Sequence, residues 1–375
     1  MAGTKRVYVS GVGISRFGQT ADPNPLEMAA RAIQNALETA SLPLAKIEEV
    51  FVGNALGSAG IVAGIAEGLG IAGIPVTRVE QACASGSTAV RLACEAVGSG
   101  RRTNVLVLGI EKMGSGLLQL DDQPTYEARL GLDVFPLLYA LKARQYMETY
   151  GATASDLASV AVKARQLGAL APHAATERGV TLAEVLASPV IADPVTRLQC
   201  CRNASGAAAA LVTSAPFAAG MPEVAGWIGG VGIEDTAQPM HGGWDSRELV
   251  VKQLADRLYD ESGIGPSDIG VVQVNDAFAV AEPLYLEALG FAPKGQGIKL
   301  QRDGDTGVAG RVPTNTDGGL IGRGHALGAT GVAMVYEIWT QMLGKAGPRQ
   351  ISRQAKAGLV QSHGYGGENL FILKL

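Results

Sequence analysis

The residues of this chain best suited to covalent chemistry are a cysteine and two histidines, each on a turn of small residues. Cys83 stands in "EQACASGSTAVRLACEAVGSG", just ahead of an apolar run that reads as a helix. A thiol at a helix N-terminus feels the positive end of the dipole and nearby amide donors, which favour the nucleophilic thiolate. Ala82, Ala84, Ser85 and Gly86 are small enough to let backbone N–H groups approach a substrate carbonyl oxygen. The same stretch also reads as structural, because cysteine is among the most buried residue types. Cys94, inside the helical pattern, reads as core.

His325 lies in "GRGHALGATG", between glycines and ahead of an apolar helix, where a histidine without a polar task would be an expensive choice. His363, in "SHGYGGENL", occupies a second glycine-rich strand end. His173 and His241 read as surface residues. Asn275 ends the strand "IGVVQVNDAFA", where it could cap the next helix, hold a water or polarise a carbonyl oxygen. One cysteine and two histidines satisfy the logic of covalent catalysis: a nucleophile, its base and a second acid/base. The oxyanion formed by attack on an acyl carbonyl then needs preorganised donors.

The elements that must position these residues alternate strand and helix, the α/β grammar. "RVYVSGVG" is a strand. "NPLEMAARAIQNALETA" is a helix with Asn24 as cap and Pro25 in its first turn. "TNVLVLGIEKMGSG" reads as a strand buried on both faces. The second half echoes the first: "LPLAKIEEVFVGNALG" resembles "IGPSDIGVVQVNDAFA", and the Cys83 helix has a counterpart in "GGLIGRGHALGATGVAMVYEIWTQMLG". We therefore expect a duplicated α/β unit, with residues 1–114 and 200–222 forming one half and 223–375 the other. Residues 115–199 are more charged and helical, and read as an inserted lid. Duplication would place Cys83, Asn275, His325 and His363 at strand ends, where sites in open α/β sheets form.

Composition narrows the function. With 47% hydrophobic and 18% charged residues the chain is globular. A net charge of −4 without a basic stripe argues against nucleic-acid binding. No apolar run reaches the roughly 18–20 residues of a membrane span. The N-terminus lacks a signal-peptide core, and Cys83, Cys94, Cys200 and Cys201 fit neither a zinc site nor a disulfide framework. Reduced thiols in a cytoplasmic enzyme without a metal are expected.

Four blocks, "EQACASGSTAV", "VNDAFAVAEPLYLEALGFAPKGQG", "NTDGGLIGRGHALGATG" and "SHGYGGENL", resemble the active-site blocks of the thiolase superfamily, in particular its sterol-carrier-protein-type, lipid-transfer-protein-like branch. The resemblance implies a duplicated α/β layered fold, two mixed sheets with helices between and outside, and an inserted loop domain. It implies Cys83 as the acylated nucleophile, His325 as its activator and Asn275 as the holder of an oxyanion-hole water. The Pro that usually follows the block histidine is Ala326 here. Where conventional thiolases carry a second cysteine, this chain has His363, with Gly364 and Tyr365 as secondary, oxyanion-hole candidates. An imidazole, with an unperturbed pKa of about 6.5, can shuttle that proton. The implied reaction is thiolytic cleavage of a 3-oxoacyl-CoA, or the reverse Claisen condensation, with coenzyme A as substrate. Alternatives are a retro-aldol lyase acting on a 3-hydroxyacyl-CoA through Tyr365, and a non-catalytic acyl-CoA or lipid carrier. The resemblance also implies a homodimer or dimer of dimers, and a separate zinc-ribbon/OB-fold partner subunit.

Overall fold

The computed structural model describes residues 5–18, 24–58, 60–114, 135–230 and 246–375. The chain runs through β1 (Tyr8–Ile14), α1 (Pro25–Ala40), β2 (Glu49–Gly53), α2 (Ile61–Gly68), β3 (Val76–Val79), α3 (Ser85–Gly98) and β4 (Asn104–Glu111). There follow α4 (Phe135–Tyr150), α5 (Ala154–Leu170), α6 (Leu182–Leu186) and the small strands β5 (Val190–Ala192) and β6 (Val195–Thr196). The α/β alternation resumes with β7 (Gly206–Thr213), β8 (Glu223–Gly230), α7 (Ser246–Ser262), β9 (Ile269–Gln273), α8 (Ala281–Ala288) and α9 (Gly297–Arg302). The short α10 (Gly319–Gly322), α11 (Leu327–Met342), β10 (Ala357–Gly364) and β11 (Gly367–Lys374) complete it. Local chemistry accounts for the helix starts. The Asn24 side chain accepts from Leu26 N at 3.0 Å, and Thr153 and Asp156 form a reciprocal capping box at α5.

The strands hydrogen-bond in the order β3-β2-β4-β7-β1-β8-β11-β10-β9. The two expected sheets are the halves of this set, joined where β1 meets β8 through the Tyr8–Glu223 pair. Each half repeats one pattern. β4 runs parallel to β2 and antiparallel to β7, and β10 runs parallel to β9 and antiparallel to β11. Even β3 has a remnant counterpart, because Thr314 bridges Val272 of β9 in parallel.

Period-2 alternation assigns the layers. Along β4, Val105 and Val107 join the central core with α3 and α11, while Leu106, Leu108 and Ile110 face α1 and α2. In the second half, Val271, Val360 and Phe371 reach that central core, whereas Val272, Leu359 and Ile372 pack with α7 and α8. Helices therefore lie between the halves and outside them, and strands buried on both faces read as unbroken apolar runs.

Glycine makes the central layer thin. A Cβ on Gly86 would lie 2.3 Å from Gly328 O, and one on Gly328 only 2.4 Å from Gly53 O. The N-terminal ends of α3 and α11 thus approach to backbone contact. That approach brings the Cys83 turn and the His325 turn together.

Candidate active site

Cys83 occupies a single 3₁₀ turn, Ala82–Ala84, between β3 and α3. Ala82 takes the left-handed conformation at φ 45°, an expensive choice for an L-residue. Three contacts hold it there. Ala82 N donates to Glu80 Oε1 at 2.7 Å, Gln81 N donates to Ser85 Oγ at 2.8 Å, and Ser85 Oγ donates to Ala82 O at 2.6 Å. The turn presents a half-buried Cys83 to a cavity of about 710 Å³. Strain held in place by surrounding bonds is common where a side chain must be aimed.

His325 stands 3.1 Å from the Cys83 sulfur through Nε2. Its Nδ1 lies 2.8 Å from Thr330 Oγ1, and that hydroxyl is 2.9 Å from the carbonyl of Ala326, the residue just before α11. A hydroxyl has one hydrogen. With that hydrogen on Ala326 O, both contacts are made together only if Nδ1 carries the imidazole proton. Nε2 is then a lone-pair acceptor pointed at the thiol. Burial, helped by the nearby Arg323 charge, lowers the His325 pKa to about 3, so the ring is neutral at physiological pH. The backbone is pinned as well: His325 N donates to Arg202 O at 2.8 Å and Ala204 N to His325 O at 3.0 Å.

His363 comes from the end of β10. Register places it directly opposite Glu368 on β11, and its Nδ1 lies 3.0 Å from Glu368 Oε2. Glu368 Oε1 accepts from Gln361 Nε2 at 2.7 Å. Gln361 Oε1 in turn accepts from Asn275 N at 2.9 Å, and Asn275 Nδ2 donates to the His363 carbonyl at 2.8 Å. One network therefore fixes both the second histidine and the asparagine. Asn275 is not a helix cap, since α8 begins at Ala281. The hairpin tip is equally constrained: a Cβ on Gly364 would lie 2.3 Å from Ala84 N, in the nucleophile turn.

Cys83, Asn275, His325, His363, Gly364 and Tyr365 all line the one cavity. Tyr365 is 37% exposed at the hairpin tip. Phe135, Tyr139, Ile191, Leu198 and Phe278 supply an apolar wall, where the Tyr139 and Phe278 rings stack at 4.4 Å. Sequence reasoning missed Thr330, Gln361, Glu368 and the lining pair Cys200–Cys201. Glu368 was within reach, because a two-residue turn in "HGYGGE" places His363 opposite a residue five positions on. Cys94 is buried in the core as expected, and burial pushes its thiol far up.

His173 is a correction. Expected on the surface, it is 5% exposed, edge-on to Tyr336. Its segment is drawn inward by hydrogen bonds from Phe17 N to His173 O and from Ala175 N to Arg323 O, each 2.7 Å. There it faces Asp317 and Glu337, but Arg323 and Arg349 already pair with those carboxylates, so the cluster is charge-balanced without a cation. His241 falls outside the described residues. Among those described, no helix is long and apolar enough to cross a membrane.

A thiol facing a neutral imidazole, set between two copies of one α/β unit, defines the thiolase-like layered class. Residues 9–214 match the thiolase N-terminal domain and residues 244–372 the thiolase C-terminal domain-like family. The chain belongs to the thiolase family. Sterol carrier protein 2 of Bos taurus is 33% identical, covering 96% of this chain and 70% of that one. The acetyl-CoA acetyltransferase of Methanothermobacter thermautotrophicus is 35% identical, covering 96% of each. Among solved structures, the Ltp2-ChsH2(DUF35) aldolase superposes with a TM-score of 0.86 at 25% identity, covering 99% of this chain and 98% of that one.

Proposed function

We propose that the protein is a coenzyme-A-dependent thiolase that cleaves a 3-oxoacyl-CoA, or runs the reverse condensation, through an acyl-Cys83 intermediate. The observation that carries this reading is the 3.1 Å contact between Cys83 Sγ and a His325 Nε2 left as lone-pair acceptor by Thr330. Family membership supports the acyltransferase class.

In the cleavage direction, His325 takes the Cys83 proton and the thiolate attacks the C3 carbonyl carbon. The tetrahedral oxyanion forms beside small backbone groups and a water held by Asn275. The C2–C3 bond breaks, leaving an acyl group on Cys83 and an enolate on the departing acyl-CoA. His363, held through Nδ1 by Glu368, protonates C2. Having given up that proton, His363 next takes the proton of an incoming coenzyme A thiol, whose sulfur attacks the acyl-Cys83 thioester. Cys83 leaves as thiolate and recovers its proton from His325, so every proton is accounted for.

Under this reading, residues 1–114 with 200–222 and residues 223–375 are the two halves, and 115–199 the inserted lid that shapes the acyl pocket. We further read the protein as an oligomer that works with a zinc-ribbon/OB-fold partner. The name of the aldolase neighbour, which joins Ltp2 to ChsH2(DUF35), supports a partner subunit.

The test is intact-protein mass spectrometry after incubation with a panel of acyl-CoA and 3-oxoacyl-CoA esters. An acyl adduct in wild type, absent in Cys83→Ala, is the expected result. A second reading, retro-aldol cleavage of a 3-hydroxyacyl-CoA with Tyr365 as base, is favoured by that aldolase likeness and by Tyr365 in the cavity. It requires consumption of the hydroxy ester that persists in Cys83→Ala and stops in Tyr365→Phe.

A further inference from the structure

The described lining of the cavity that holds Cys83 is rich in cations. The chain carries a net charge of −4, yet among the described residues four arginines line this cavity against one carboxylate, Glu80. Glu80 accepts from Ala82 N, so its charge serves the nucleophile turn. Among the described residues, no carboxylate lies within ion-pair distance of Arg165, Arg197 or Arg202. Elsewhere the interior follows the usual rule that buried charges are paired, as Arg323 is with Asp317 and Arg349 with Glu337.

Arg165 is the decisive member. It projects from α5, is only 7% exposed, and its guanidinium donates to two backbone carbonyls: Nε to Leu198 O at 3.1 Å and Nη2 to Cys200 O at 3.4 Å. Burial and the neighbouring Arg202 lower its pKa to about 10, which still leaves it cationic at neutral pH. A buried guanidinium tied by two carbonyls and facing a cavity keeps donors for an anion, and it is rigidly aimed. Arg197 and Arg202 are exposed and add positive charge nearby. Cys201, between them in sequence, feels the charges of both Cys83 and Arg165, so the cation and the candidate nucleophile flank one residue.

We infer that Arg165 binds a carboxylate at the far end of the acyl chain, so that the substrate class is a 3-oxoacyl-CoA bearing a second, acyl-borne acid group. The inference rests on the acyltransferase reading for where the acyl chain lies. A neutral acyl tail would leave the guanidinium buried against apolar groups without a counter-charge, which is costly. A carboxylate offers it a charge-assisted pair in a site shielded from water. The phosphates of coenzyme A are the competing anions, but they are multiply charged and solvated, and suit exposed Arg197 and Arg202 better than one buried side chain.

Binding is measured by calorimetry on Cys83→Ala protein, which separates recognition from turnover. The ligands are two 3-oxoacyl-CoA esters of equal chain length, one ending in methyl and one in carboxylate, and coenzyme A alone. The carboxylate ester should bind about 10- to 100-fold tighter than the methyl ester, the worth of one hydrogen bond to a charged group. Adding Arg165→Met should collapse that ratio to near one, and Arg165→Lys should keep part of it. Equal binding of the two esters by the parent overturns the inference. So does an Arg165→Met variant that weakens coenzyme A and both esters alike, which would assign the arginine to the phosphates. Acyl-Cys83 formation in wild type is scored separately: adducts without carboxylate preference sink only this inference, whereas absence of any adduct sinks the acyltransferase reading.

Discussion

Replacing Thr330 with valine removes one hydroxyl from a fully buried position and changes little in shape, so it isolates the tautomer argument. In the native site the hydroxyl gives its hydrogen to Ala326 O and accepts from His325 Nδ1. In the variant, a proton left on Nδ1 has no acceptor, and a buried unsatisfied donor costs about 1–3 kcal/mol. The imidazole can escape that cost by moving its proton to Nε2, where it faces the Cys83 sulfur. That ring can no longer take the thiol proton, and loss of a positioned general base lowers a rate by about 10²–10⁴-fold. The assay is rapid-quench mass spectrometry of acyl-Cys83 formation from a saturating acyl-CoA between pH 6 and 9. We expect acylation slowed by at least about 100-fold, with Thr330→Ser restoring most of it because serine keeps the hydroxyl. A purely structural role would lower stability in both variants' unfolding curves without this rescue pattern in the rate. Wild-type acylation rates in Thr330→Val across the pH range would falsify the reasoning.

Two further outcomes follow from the same geometry. Glu368→Gln removes the carboxylate hydrogen-bonded to His363 Nδ1, a charge-assisted contact worth about 1.5–3 kcal/mol, so cleavage of a 3-oxoacyl-CoA should slow about 10- to 100-fold. Acylation of Cys83 by a simple acyl-CoA, whose departing thiolate His363 also protonates, should slow as well, whereas alkylation of Cys83 by iodoacetamide, which needs only His325, should change far less, and the two rates measured side by side decide it. For pH, the folded His325 has its pKa lowered to about 3, below its unfolded value of about 6.5. The unfolded chain therefore binds the extra proton first as pH falls, so stability is intact above about pH 6.5 and declines from there towards 3. Urea unfolding at pH 7.5 and 4.5 should show wild type losing more stability than His325→Gln over that interval, and equal losses would refute the assignment.

Much of the fold was legible because its signals are local or periodic. The Asn24 cap, the capping box at Thr153 and the unbroken apolar run of β4 each follow from neighbours within a few residues. The internal echo announced that Asn275 and His325 stand in the second half where the first half has its own strand-end turns, and the paired strand orders bear that duplication out. The join at Tyr8–Glu223 was not legible, because edge pairing between two similar sheets depends on how their twists meet, which no local pattern encodes.

By itself, then, the sequence determined the types of reactive side chain, their placement on glycine-rich strand ends and the family they belong to. Residue type and turn chemistry are read within a short window, and that sufficed. Tertiary structure alone decided which atoms meet. Cys83 and His325 are separated by 242 positions, and their 3.1 Å contact exists because Gly53, Gly86 and Gly328 let two helix ends approach to backbone distance. The tautomer of His325, the Glu368 carboxylate behind His363, the burial of His173 and the placing of the Arg165 guanidinium on two backbone carbonyls are likewise products of packing. Each depends on what surrounds an atom in space, and a charge or a proton takes its meaning from those surroundings.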